Sequence, residues 1–184
     1  MSVRARLCLI GASVLMLSGC GEDTKPAGVA VPSPGVVELP ASMASGACEL
    51  LDYSSVEQKI GVRFDVSAAS QLRKTQTCVL RTEAANHPDL ALSVTDISVD
   101  ASAFKTDLVP RGGQSVSGLG KAAYRLIAAP ADEHGAAVEI GWLASDGRVV
   151  SLRYTLAAGQ DKGAAEEFAG KLVTLAKEID TSRR

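Results

Sequence analysis

The chain reads as α+β: an antiparallel β-sheet packed against a short N-terminal helix and a long C-terminal helix. Three observations predict it. Through the middle of the chain, apolar residues recur mostly at every second position, the period of half-buried strands. From Lys162 to Ile179 the period changes to three or four, with Ala165, Phe168, Leu172, Leu175 and Ile179 on one stripe. A short capped helical pattern precedes the strands, and the order helix, antiparallel strands, long helix is that of helices packed on a sheet.

Taken in order, the 184 residues begin with a positive segment, Arg4 and Arg6. Leu7 to Leu17 is an apolar run of 11 residues. That lies within the roughly 7–15 of a secretory signal and well short of the ~20 that span a bilayer. Ser18 and Gly19 are small, and Cys20 closes the run Leu17-Ser18-Gly19-Cys20. The arrangement resembles the signal peptide of a bacterial lipoprotein. The resemblance implies removal of residues 1–19 and a diacylglycerol on the Cys20 thiol. The expected location is the extracytoplasmic side of a cell membrane, lipid-anchored, because two or more acyl chains hold a protein stably where one does not. Residues 20–45 carry Pro26, Pro32, Pro34 and Pro40 among Gly, Ala, Ser and Val, and read as a flexible tether. Residues 46–184 remain as a single globular domain, long enough to bury an apolar core.

Within that domain, Cys48-Glu49-Leu50-Leu51 is a compact apolar turn. Ser54-Ser55-Val56-Glu57 has the capping-box pattern with Ser54 as N-cap, and Gly61 is a natural stop, so a helix of two turns is expected. Arg63–Val66 and Thr77–Thr82 read as strands, the second with Cys78 and Leu80 on one face. In Leu90–Val99 the alternation slips by one residue after Val94, which predicts a β-bulge near Asp96. Residues 110–120, rich in glycine, read as a loop. Ala122–Ala128 is a strand through Tyr124 and Leu126, and Asp132–Gly135 a polar turn. Val138–Leu143 and Val149–Leu156 form a hairpin across Ser145-Asp146-Gly147-Arg148, where Asp-Gly favours a primed turn. Asp161 is the expected N-cap of the last helix, with Glu166 and Glu167 near its positive end and Lys177 near its negative one.

Four cysteines are present. Cys8 lies in the signal and Cys20 takes the lipid. Cys48 and Cys78 remain, in a compartment where disulfides persist, and are expected to pair. The alternative, a two-cysteine metal or redox site, lacks a C-x-x-C and a histidine at ligand-like spacing.

Composition and motifs exclude more than they assign. Without Arg4 and Arg6, 17 basic residues face 21 acidic ones, a formal charge of −4. That argues against nucleic acid or an anionic lipid surface as the main partner. Gly113-Gln114-Ser115-Val116-Ser117 nearly spells the serine-hydrolase elbow, but Ser117 stands where the second glycine belongs. Gly118-Leu119-Gly120-Lys121 lacks phosphate-loop spacing. His134, in Asp132-Glu133-His134, reads as a solvated turn residue, and His87, beside Pro88, as a loop residue. Glu139, between Val138 and Ile140, faces either a pocket or water. Trp142, Tyr154 and Tyr124 are candidates for lining a ligand pocket or surface, although strand aromatics more often serve the core. No catalytic constellation emerges, so the expectation is a non-enzyme with no cofactor and no metal.

Cys48-x-Leu50-Leu51, the short helix ending at Gly61, Cys78, the run Val116-x-Gly118-Leu119-Gly120-x-x-Ala123-Tyr124, the hairpin and the final helix together resemble a family of actinobacterial envelope lipoproteins of unknown function. The resemblance covers about residues 46–180. One departure is the pair Val79-Leu80, where such domains often carry an aromatic residue soon after the second cysteine. It implies a PsbP-like layout and no established reaction. With the anchor and tether, the expected function is a binding module for an envelope protein or glycan. The alternatives are a carrier or sensor for a lipophilic small ligand, with a cavity between sheet and final helix, and a cryptic hydrolase.

Overall fold

The computed structural model describes residues 40–131 and 133–179. The expected signal peptide, Cys20 and the tether as far as residue 39 lie outside the described residues. Seven strands form one antiparallel sheet: β1 (Val66–Leu72), β2 (Thr75–Thr82), β3 (Ala85–Thr95), β4 (Gln114–Ser115), β5 (Ala122–Ala128), β6 (Ala137–Leu143) and β7 (Val149–Thr155). Their order across the sheet is β1-β2-β3-β7-β6-β5-β4. Two meanders, β1 to β3 and β4 to β7, therefore meet along a single seam, with Leu90 opposite Tyr154 and Leu92 opposite Leu152.

The helices gather on one face. The C-terminal helix α3 (Lys162–Glu178) buries Ala165, Ala169, Leu172, Leu175 and Ala176. They meet the alternate residues Val138, Ile140, Trp142, Val150 and Leu152 in one core. Alanine at three of the five buried positions brings the helix close to the sheet. Asp161 caps it as expected, accepting from Ala164 N at 3.0 Å. The N-terminal helix α1 (Tyr53–Ile60) packs beside α3, and Lys59 reaches Glu178 across the gap at 2.5 Å. Upstream, 3-10 turns span Ala41–Ala44 and Gly46–Leu50. The first of these precedes the expected domain start at Gly46 yet is already packed, with Ala41 fully buried. The Cys48–Cys78 disulfide joins the second turn to β2.

Several local expectations change. Asp52, not Ser54, is the N-cap of α1: its carboxylate accepts from Ser55 N at 2.9 Å and from the Ser54 hydroxyl. The two hydrogen bonds hold the Asp52 carboxyl below its usual pKa. Gly61 closes the helix in the left-handed region, as expected. The strand expected at Arg63–Val66 begins only at Val66 and runs to Leu72. Its residues are mostly exposed, so no alternating burial marks it in the sequence. The slip after Val94 is not a bulge but the end of β3, at Thr95. The irregularity lies at the other end, where Leu80 faces Leu90 but Thr82 faces Ala85. The extra β3 residues there include the cis bond His87–Pro88.

Residues 101–108 form a turn of helix α2 (Ala101–Ala103) running into a π-helical turn (Phe104–Leu108). Asp100 caps it with two hydrogen bonds of 2.8 Å. The β6–β7 hairpin uses a three-residue loop, with Gly147 N donating to Ala144 O and Ala144 N to Arg148 O. Only Gly147 in that loop has a positive φ, 92°, as a type I turn closed by a left-handed residue requires, so the turn is not the expected primed type.

Candidate functional site

Among the described residues, the sheet face away from α3 is only partly covered. Phe104, fully buried, sits with Val99, Ala101, Leu108 and Val109 over Ala122, Tyr124, Leu126, Leu143 and Val149. This second, smaller core roofs the β5–β6 side. Beyond it, β1, β2, β3 and β7 present mostly short side chains, a row of hydroxyls between the apolar row Ala68, Val79 and Ala91 and the exposed Leu72. Ser70, Thr77, Ser93 and Ser151 fall in register as one hydroxyl row across four strands. Thr77 and Ser93 hydroxyls are 3.1 Å apart, and Thr75 pairs with Thr95 at 3.0 Å. In the same register the row continues through Gly141 to Tyr124.

Gly141 shapes the junction between roofed and open halves. A Cβ there would stand 2.3 Å from Tyr124 Cε1. Without one, the tyrosine ring lies across the strand and its hydroxyl donates to Glu139 Oε1 at 2.5 Å. The other carboxylate oxygen accepts from Arg153 Nη1 at 3.4 Å. Glu139 and Arg153 are direct cross-strand partners, and their side chains are 20% and 38% exposed, so the pair faces solvent at the border. Burial, then the hydrogen bond to Glu139 and its charge, push the Tyr124 hydroxyl well above its ordinary pKa. Tyr124 is therefore a fixed donor that orients Glu139, rather than a proton shuttle.

The three candidate aromatics do not share a pocket. Trp142 and Tyr154, 2% and 5% exposed, point into the α3 core, and Tyr154 stacks on Phe168 at 4.0 Å. Tyr124 lies on the opposite face. Burial, followed by the nearby Asp89 charge, pushes the Tyr154 hydroxyl up to about 12. An open groove of about 250 Å³ runs between α1 and the end of α3, lined by Leu51, Asp52, Ser55, Val56, Leu175 and Ile179.

The structure does bring together two residues that the sequence leaves apart. His87, in the β3 irregularity, and His134, in the turn before β6, have ring centroids 5.3 Å apart. Among the described residues, no three His, Cys, Asp or Glu side chains gather as a metal-ligand set, and no helix is long and apolar enough to cross a membrane. No protein-family model, curated protein or solved structure matches the chain.

Proposed function

We propose that the chain is a lipoprotein of the actinobacterial envelope type, tethered through Cys20, whose domain is a non-enzymatic binding module for an envelope protein or glycan. The observation that supports this is the open half of the sheet. It offers the hydroxyl row Ser70, Thr77, Ser93 and Ser151, bordered by the Arg153–Glu139 pair. Short side chains on a pleated surface let a partner's polar groups approach closely, and the fixed ion pair adds a directional contact at one end. Every aromatic residue described is at least half-buried, so a stacking platform for sugar rings is lacking and a protein surface of mixed polar and apolar character suits the face better.

The test is photo-crosslinking in cells. A photoreactive residue at Ser70 or Ser93 of the full chain is expected to trap a discrete envelope partner. One at Glu167, exposed on α3, is expected to trap none. Adducts that are absent from both sites, or equal at both, would refute the assignment of the face. Cys20→Ser separately tests the anchor: the protein is expected to leave the membrane fraction, and retention there would refute lipidation at Cys20.

A further inference from the structure

We propose that His87 and His134 form a binding site for a divalent transition-metal ion, independent of the sheet face. They are the chain's only two histidines. The β3 irregularity and the turn before β6 carry them to one end of the sheet.

The hydrogen bonds of the two rings argue for a site rather than a chance contact. His134 Nδ1 lies 2.7 Å from Gly135 O, and a carbonyl only accepts, so Nδ1 carries the proton. His87 Nδ1 lies 2.8 Å from Asp89 Oδ1, where an ionised carboxylate imposes the same tautomer. In its neutral form each imidazole thus keeps its lone pair on Nε2. A ring whose Nδ1–H is held by a carboxylate or a backbone carbonyl is the usual state of a metal-binding histidine, because that bond sets tautomer and orientation and raises ligand basicity.

The spacing agrees. With metal–nitrogen bonds of ~2.0–2.1 Å and tetrahedral geometry, two ligating imidazoles have centroids roughly 5.2 Å apart. The rings here are 5.3 Å apart and inclined at 61°, so they are not stacked. His87 is half-buried and its side chain is 27% exposed, which leaves an approach from solvent. Imidazole nitrogen suits Zn²⁺, Cu²⁺ and Ni²⁺. With two protein ligands, the other coordination positions go to water or to a donor from another molecule. In this structure the two rings meet edge to face, and titration shows whether a metal ion draws both Nε2 atoms onto itself.

The full chain, purified in detergent without a histidine tag, is titrated with Zn²⁺, Cu²⁺ or Ni²⁺ alone in a non-chelating buffer. One equivalent is expected to bind, His87→Ala and His134→Ala each to abolish binding, and Asp89→Asn to weaken it roughly tenfold through the lost outer-shell bond. Cu²⁺ added to the unmodified, isotope-labelled chain is expected to broaden amide signals around residues 87–89 and 133–136 first. That measurement locates the ion even if a substituted chain does not fold. Absence of binding at millimolar metal overturns the proposal. So does binding that survives either histidine substitution, or broadening centred elsewhere.

Discussion

Replacing Gly141 by alanine tests the geometry that orients the Tyr124–Glu139–Arg153 cluster. The new Cβ would lie 2.3 Å from Tyr124 Cε1 and 2.6 Å from its hydroxyl, where ordinary contact begins at 3.4 Å. The ring must retreat by about 1.1 Å, toward Phe104, whose ring centroid is 6.0 Å away and which is fully buried. That retreat breaks the 2.5 Å bond to Glu139. A hydrogen bond to a charged group contributes ~1.5–3 kcal/mol. Crowding a packed site costs a further ~1–3 kcal/mol, and removing glycine from a strand returns ~0.5–1 kcal/mol. The net expectation is a loss of about 2–5 kcal/mol. At ~3 °C per kcal/mol for a domain of this size, Tm falls by roughly 6–15 °C. Urea and thermal unfolding followed by circular dichroism measure it. In a Tyr124→Phe background the hydrogen bond is already gone, so the same substitution should cost ~1.5–3 kcal/mol less. A loss under ~0.5 kcal/mol, or a cycle that is additive within that margin, would refute the placement of Tyr124 across Gly141.

Two further outcomes are expected. Cys48 and Cys78 are 30 residues apart, and closing a loop of that length stabilises a fold by ~3.6 kcal/mol on chain entropy. The Cys48→Ser/Cys78→Ser chain should unfold at a correspondingly lower urea concentration, and an unchanged midpoint would show that the cross-link does not constrain the unfolded chain. At alkaline pH the folded state holds the Tyr154 proton up to about 12, against 10.0 ordinarily. The native form then binds more protons than the unfolded one, so stability is full below pH 10 and falls as pH rises toward 12. Tyr154→Phe should shallow that fall, and an unaltered pH profile would refute the assignment.

What can be read from the sequence follows from how local each signal is. The α3 stripe and the β6–β7 alternation are periodicities within one segment, and both recur in the fold with ends within a residue or two. β1 is a strand because β2 pairs with it; its own residues, Val-Ser-Ala-Ala-Ser-Gln-Leu, are too polar and too exposed to signal one. The β1–β2 turn is equally silent, since Arg73 takes its positive φ of 54° without a glycine. Ile97 and Val99 mimic a continued strand, but Val99 turns instead into the roof over Tyr124. The hydroxyl row is a property of register, as each strand supplies one residue and no segment shows the pattern. The histidine pair is hidden for the same reason, 47 positions separating its members. Glu139 stands out in the sequence as a polar residue between two apolar ones. Its partners, Tyr124 and Arg153, come from neighbouring strands that only the pairing brings alongside.

The seam between the meanders has a consequence for the order in which the molecule can be completed. β3 ends at Thr95, but its outer neighbour β7 begins only at Val149. More than fifty further residues must therefore emerge before the first half of the sheet finds its permanent neighbour. Until then that half exposes a row of unpaired backbone groups, the kind of surface that recruits other chains. Cys48 and Cys78 both belong to this early half, so its cross-link can close before the seam does. A premature stop between β6 and β7 would remove both α3 and the strand that joins the two halves, leaving two ribbons instead of one sheet.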